Sequence, residues 1–353
     1  MSEALIIAAA KITDGTGSLT PVQGKLAQLS TLGITATELL IDPLKTDWHS
    51  PLQENHFRSG CAPVEALYQA RTLIREGGDA VVIRGKDLIK SDYSRDERHH
   101  LMAVYGEQTP ITDAYNDLAQ YFLQKHKINS ARFRDLSAKL FENYQRSYRK
   151  TDAATTASDT PPARWFEQIT PLFRGVDCAN PLIDFEAELL ICREEIANQL
   201  QVPDTERVAI RGVGLGFLEQ DGPSAIRRIA RYTHLQNAFQ HCNAEAQLDF
   251  NNRFLNGEAL LETYTCYPVV PMAFLLASGL VDQLEAIPAF LEKHLITITG
   301  GMNLARAPWN NPALNGLICM YQQLTTGDIT VGAVHGNGGL GYRQGVAMLE
   351  RLT

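Results

Sequence analysis

The stretch ITITGGMNLARAPWNNPALNGLICMYQQLTTGDITVGAVHGNGGLGYRQGVAML, from Ile296 to Leu349, decides how the chain is read. Ile296 to Thr299 is β-branched and suits a short buried strand, which Gly300-Gly301 breaks. After Trp309-Asn310-Asn311-Pro312 an apolar helix is expected from about Ala313 to Gly327-Asp328. Ile329 to Val334 alternates as a second strand, and Gly345 to Leu349 reads as a last one. Between them stands His335-Gly336-Asn337-Gly338-Gly339. Glycine tolerates positive φ and lets backbone N–H groups come close to another atom. Gly336, Gly338 and Gly339 therefore suit either a β-hairpin turn or a loop that holds an oxyanion or thioester carbonyl.

Upstream, strands and helices alternate. Leu5 to Ala10 reads as a strand, Val22 to Leu32 as a helix closed by Gly33, and Glu38 to Ile41 as a strand. Ser59-Gly60-Cys61-Ala62-Pro63 leads into a helix from Val64 to Glu76, and Ala80 to Ile83 is a buried strand ending in Arg84-Gly85. Gly60 and Cys61 thus sit at a helix N-terminus, which favours anions and lowers a thiol pKa. Ser91 to about Lys150 is polar and mostly helical. Its basic residues Arg132, Arg134, Lys139, Arg146, Arg149 and Lys150 suit either ligand phosphates or solvated helix faces. Thr151 to Pro162 reads as a loop.

Glu186 to Cys192 is the next strand, and a second series starts near Val208. Gly212, Gly214 and Gly216 there do not form GxGxxG, so no dinucleotide site follows. Pro223 to Ala246 and Leu280 to His294 read as helices, and Gln247 to Phe250 as a short strand. The organisation expected is an α/β chain of two similar halves, residues 1–200 and 201–353, with a helical insertion from about 91 to 180 in the first.

The composition narrows the function. The chain has 353 residues, 44% hydrophobic, enough for two domains or one large duplicated one. A net charge of −8 argues against a nucleic-acid surface. No apolar run is long enough to span a membrane, and the N-terminus reads as a strand, not a signal peptide. The six cysteines show no CxxC spacing, which suggests free thiols in a cytoplasmic protein. No metal site is expected, because the adjacent His99 and His100 point about 100° apart on a helix.

Five pieces in this order resemble the thiolase superfamily across nearly the whole chain, in particular its sterol-carrier-protein-2-type and acetyl-CoA acetyltransferase-like branches. GCAPVEALYQARTLIREGGDAVVIRGKD, from Gly60, stands for the nucleophile helix and the strand after it. ITPLFRGVDCANPLIDFEAELLIC is similar to the family's PL…D strand segment. ETYTCYPVVPMAF takes the place of N-E-A-F, GGMNLARAPWNN that of GG-x4-G-H-P, and HGNGGLGYRQGVAML that of C-x-G-G-G-x-G. The resemblance implies a five-layer αβαβα fold and a homodimer or tetramer in lipid metabolism. It also implies acyl-CoA as substrate and no permanently bound cofactor.

For activity, the resemblance implies acyl transfer on a CoA thioester, by thiolysis or Claisen condensation. That chemistry needs an acyl-accepting thiolate, an activating histidine, a second acid/base and oxyanion donors. Cys61 would take the acyl group, but an ungapped match puts Gly60 at the nucleophile position and Cys61 one residue later. The activating histidine is replaced by Ala307 within Arg306-Ala307-Pro308. His335 falls at the second acid/base, and Tyr264 where the family has asparagine or histidine, placed to hold a water or donate to an oxyanion. Cys266, two residues on, reads either as a site thiol or as a small buried residue. Asn310 and Asn311 would supply amide donors or an Asx turn, and Gly336, Gly338 and Gly339 the oxyanion N–H groups. The alternative reading is a catalytically degenerate acyl-CoA binder or partner subunit.

Overall fold

The computed structural model describes residues 3–151, 160–304, 306 and 308–352. Residues 152–159 of the expected loop, and Ala307, lie outside the described residues. Ten strands form one sheet: β1 (Ala4–Thr13), β2 (Thr16–Ser18), β3 (Thr37–Ile41), β4 (His56–Phe57), β5 (Ala80–Leu88), β6 (Asp184–Arg193), β7 (Val208–Phe217), β8 (Ala259–Glu262), β9 (Val331–Gly338) and β10 (Arg343–Arg351). Their order is β4-β3-β5-β6-β1-β7-β10-β9-β8, with β2 paired to β1. The helices of eight residues or more are α1 (Thr20–Thr31), α2 (Ala62–Arg75), α3 (Arg95–Met102), α4 (Ile111–His126), α5 (Ser130–Tyr148), α6 (Thr233–Ala246), α7 (Val269–Ala277) and α8 (Pro312–Thr326).

The layers follow from alternation along β1. Leu5 and Ile7 point to α1, where they meet Val22 and Leu29. Ala4 and Ile6 point the other way, into a core shared with Leu67 and Ile74 of α2 and Leu314 and Leu317 of α8. α2 packs on strands from both ends of the sheet order, and α8 lies beside it against β1, β6, β8 and β9, so the two form the middle layer. On the far side Leu235, Phe239 and Cys242 of α6 cover Val346 and Met348. The result is the expected αβαβα stack.

Gly212, Gly214 and Gly216 let α6 lie flush on β7. A methyl on Gly214 would stand 1.8 Å from the Ala238 carbonyl oxygen, and one on Gly212 2.3 Å from that of Cys242. Between β5 and β6 the chain is helical, as α3, α4 and α5.

Several local expectations fail for identifiable reasons. Ile296 to Thr299 is not a strand. Its backbone groups pair largely with side chains: Ile296 N–H with Asn143, Ile298 and Thr299 N–H with Glu262, and the Thr297 carbonyl with Ser147. Gln247 to Phe250 is a turn into the short helix Phe250–Leu255, and β8 follows instead. The Pro223 to Ala246 helix is interrupted at Tyr232, which adopts φ 53°. Of the helix expected over Leu280 to His294, Ile287–Lys293 is α-helical. The glycine turn is displaced too: β9 continues through Gly338, and the chain reverses over residues 339–342.

Candidate functional site

A cavity of about 630 Å³ opens between the helical insertion and the ends of β8 and β9. Its floor includes Gly60, Tyr264, Cys266 and Asn337. Tyr115 and Tyr267 stack at 4.0 Å along one wall, and Asn310 stands on another. Trp48 and Trp309 lie nearer the rim, with Asp96, His99, His100 and Glu107.

Gly60 and Cys61 face different surroundings. A methyl on Gly60 would stand 2.0 Å from the Tyr264 hydroxyl oxygen and 2.4 Å from the Asn337 carbonyl oxygen. The phenol thus fills the space that a side chain at residue 60 would need. Cys61 is the N-cap residue of α2, is fully buried and does not line the cavity. Its sulfur lies 2.9 Å from where a methyl on Gly345 of β10 would stand. Burial, and then the neighbouring Glu65 carboxylate, push the thiol pKa well up, so the proton stays on. The helix-terminus effect expected to favour a thiolate loses to desolvation.

His335 lies on the other face of β9. The next residue, Gly336, packs toward Cys61 and Val64 of α2. The His335 ring instead stacks on Phe274 of α7 at 4.6 Å. Nε2–H donates to Gln344 Oε1 at 2.8 Å, while Nδ1 accepts from Tyr264 N–H at 3.4 Å. Burial lowers its pKa to about 4, which the bond to Gln344 partly opposes. Cys61 and His335 are therefore not brought together. In the folded protein His335 should keep one neutral Nε2–H tautomer from pH 5.5 to 8. Imidazole ¹⁵N shifts check this; titration near pH 6.5 would contradict it.

From His335 a polar chain runs to the cavity. Gln344 Nε2 donates to Asn337 Oδ1 at 2.7 Å, Asn337 Nδ2 to the Tyr115 hydroxyl at 3.1 Å, and that hydroxyl to the Gly339 carbonyl at 2.6 Å. Cys266 Sγ lies 3.4 Å from the same Tyr115 hydroxyl, and burial raises its pKa to about 12. Burial likewise pushes the Tyr264 phenol well above its ordinary value, so it is a proton donor. Tyr105 on the roof donates to Asp221 at 2.7 Å, and Asp221 accepts from Leu340 N–H at 3.0 Å, tying roof to hairpin turn. Tyr115, Tyr105 and Asp221 carried no signal in the sequence.

The remaining expected residues divide. Gly339 lines the cavity. Gly336 and Gly338 are ladder residues opposite Gly345 and Arg343, and a methyl on Gly338 would stand 2.4 Å from Ser59 Oγ. Close approach of the segment before α2 accounts for Gly338. Asn310 donates to the Asp42 carbonyl at 2.8 Å. Asn311 is fully buried at the start of α8, outside the cavity. No member of the basic concentration lines the cavity; Arg134 and Arg146 bind backbone carbonyls and Lys139 pairs with Glu142. Among the described residues no cluster of three or more His, Cys, Asp or Glu could hold a metal ion. Nor is any described helix long and apolar enough to cross a membrane.

No protein-family model and no curated protein matches the sequence. Solved structures do match. An SCP2-thiolase-like protein type 1 from Mycobacterium smegmatis, described as monomeric, superposes with TM-score 0.74 at 16% identity, over 99% of this chain and 78% of that one. A chain described as "Ltp2-ChsH2(DUF35) aldolase" superposes with TM-score 0.67 at 15% identity, over 99% of this chain and 98% of that one. The fold is therefore thiolase-like.

Proposed function

We propose that this chain is a thiolase-fold binding protein that holds the carbonyl end of a small molecule without acyl transfer through a cysteine. The observation behind this reading is the Tyr264 phenol. It fills the place where a nucleophile at residue 60 would stand, while the Cys61 thiol is protonated and faces the interior. A protonated, desolvated thiol is a poor nucleophile, and a donor phenol at the floor suits a ligand oxygen. The acyltransferase reading needs Cys61 and His335 in one cavity, and they lie on opposite faces of β9. A role as one subunit of a complex draws support from the neighbour whose description couples Ltp2 with a DUF35 protein.

The test is intact mass after incubation with acetyl-CoA and dodecanoyl-CoA, with free CoA thiol followed in parallel. Unchanged mass and no thiol release are expected. An acyl adduct that disappears in Cys61→Ser would restore the acyltransferase.

A further inference from the structure

Resting on that binding reading, we infer that the ligand is a neutral, mostly apolar carbonyl compound, a ketone or ester with no nucleotide attached. Three observations carry this. First, the cavity has an aromatic wall, with Tyr115, Tyr267, Met102 and Met302 facing it, and about 630 Å³ is ample for a molecule of this kind. Second, the Tyr264 hydroxyl makes no hydrogen bond among the described residues, although it lies at the floor. A ligand oxygen there satisfies it, and a purely hydrocarbon ligand does not. Third, no Lys or Arg lines the cavity. The residues outside the described set include none either. The carboxylates at the rim are Asp96 and Glu107, and the whole chain carries −8. A coenzyme A thioester brings several phosphate charges, and this rim repels them where a nucleotide site would offer cations.

The experiment compares 2-dodecanone, dodecane and dodecanoyl-CoA on the full chain at pH 8. Two of the three tryptophans, Trp48 and Trp309, line the cavity, so their fluorescence reads occupancy. The ketone is expected to bind at least about tenfold tighter than the CoA thioester at low salt. It is also expected to bind about fivefold tighter than dodecane, a margin that Tyr264→Phe removes. Replacing the two exposed rim carboxylates, as Asp96→Asn with Glu107→Lys, is expected to narrow the gap between ketone and thioester. That variant leaves the buried floor intact, so it informs even if Tyr264→Phe folds poorly. Tighter binding of dodecanoyl-CoA, weakened by salt, would overturn the inference and point to phosphate contacts. Equal binding of ketone and dodecane would also overturn it. An acyl adduct sinks the non-transferring reading instead, and silence from all three ligands sinks both.

Discussion

Gly60→Ala is expected to destabilise the protein by about 2–3 kcal/mol and to abolish ligand binding at the cavity floor. The new methyl would stand 2.0 Å from the Tyr264 hydroxyl oxygen and 2.4 Å from the Asn337 carbonyl oxygen. The phenol is the movable neighbour. The carbonyl belongs to β9, in register with Gln344 of β10, and cannot yield without breaking the ladder. The two contacts separate in a double-mutant cycle. In a Tyr264→Ala background the cost of Gly60→Ala should fall by about half, because one of the two clashes has gone. Urea midpoints of the four proteins supply the numbers. If Gly60→Ala matches the parent, the floor has room for a side chain at residue 60. Gly60→Cys then becomes a route to an acyl-accepting thiol.

The second large effect concerns Glu262, which ends β8 beneath the irregular segment 296–299. Its carboxylate accepts from Ile298 N–H at 2.7 Å, Thr299 N–H at 3.1 Å and the Thr299 hydroxyl at 2.6 Å. Burial raises its pKa from 4.5 to about 7, against these bonds and nearby Lys11. A raised carboxyl pKa means that the native state holds a proton which the unfolded chain has released. Stability from this group is complete below about pH 4.5 and is lost as pH rises through 7, by roughly 3 kcal/mol. His335 acts in the opposite sense. Its pKa is lowered to about 4, so its contribution is complete above about pH 6.5 and is lost as pH falls through 4.

Glu262→Gln isolates the carboxyl, since glutamine mimics the protonated acid and leaves His335 untouched. The variant should match the parent near pH 4 and exceed it by roughly 3 kcal/mol at pH 8. Glu262→Ala should instead lose several kcal/mol at every pH, because buried N–H groups are left without acceptors. Parallel stability curves for parent and Glu262→Gln would show that this carboxyl titrates normally.

Legibility differed between elements. The α2 and α8 helices, β9 and β10 were visible because their apolar periodicity persists over many residues. β8 was missed because it is four residues long and runs directly into Thr263 and Tyr264. The segment 296–299 has strand-like residues, yet Asn143, Ser147 and Glu262 claim its backbone. No local pattern announces side chains that arrive from so far along the chain. At the site, the place of Tyr264 in the motif order was readable. Tyr115 was not, because on the apolar face of α4 it looks like any core residue.

The sequence by itself determined the layered α/β fold, while the resemblance to a known family left Cys61 as the candidate nucleophile, one residue past the matching position at Gly60. Repeating apolar spacing and glycine breaks are local properties, so they survive without coordinates. Only the tertiary structure decided where the polar groups point. Register along β9 turns His335 toward α7 and Gly336 toward α2, and one step at the start of α2 turns Cys61 away from the cavity. Those directions depend on which strand pairs with which, and on a phenol delivered from the end of β8 into the space above Gly60.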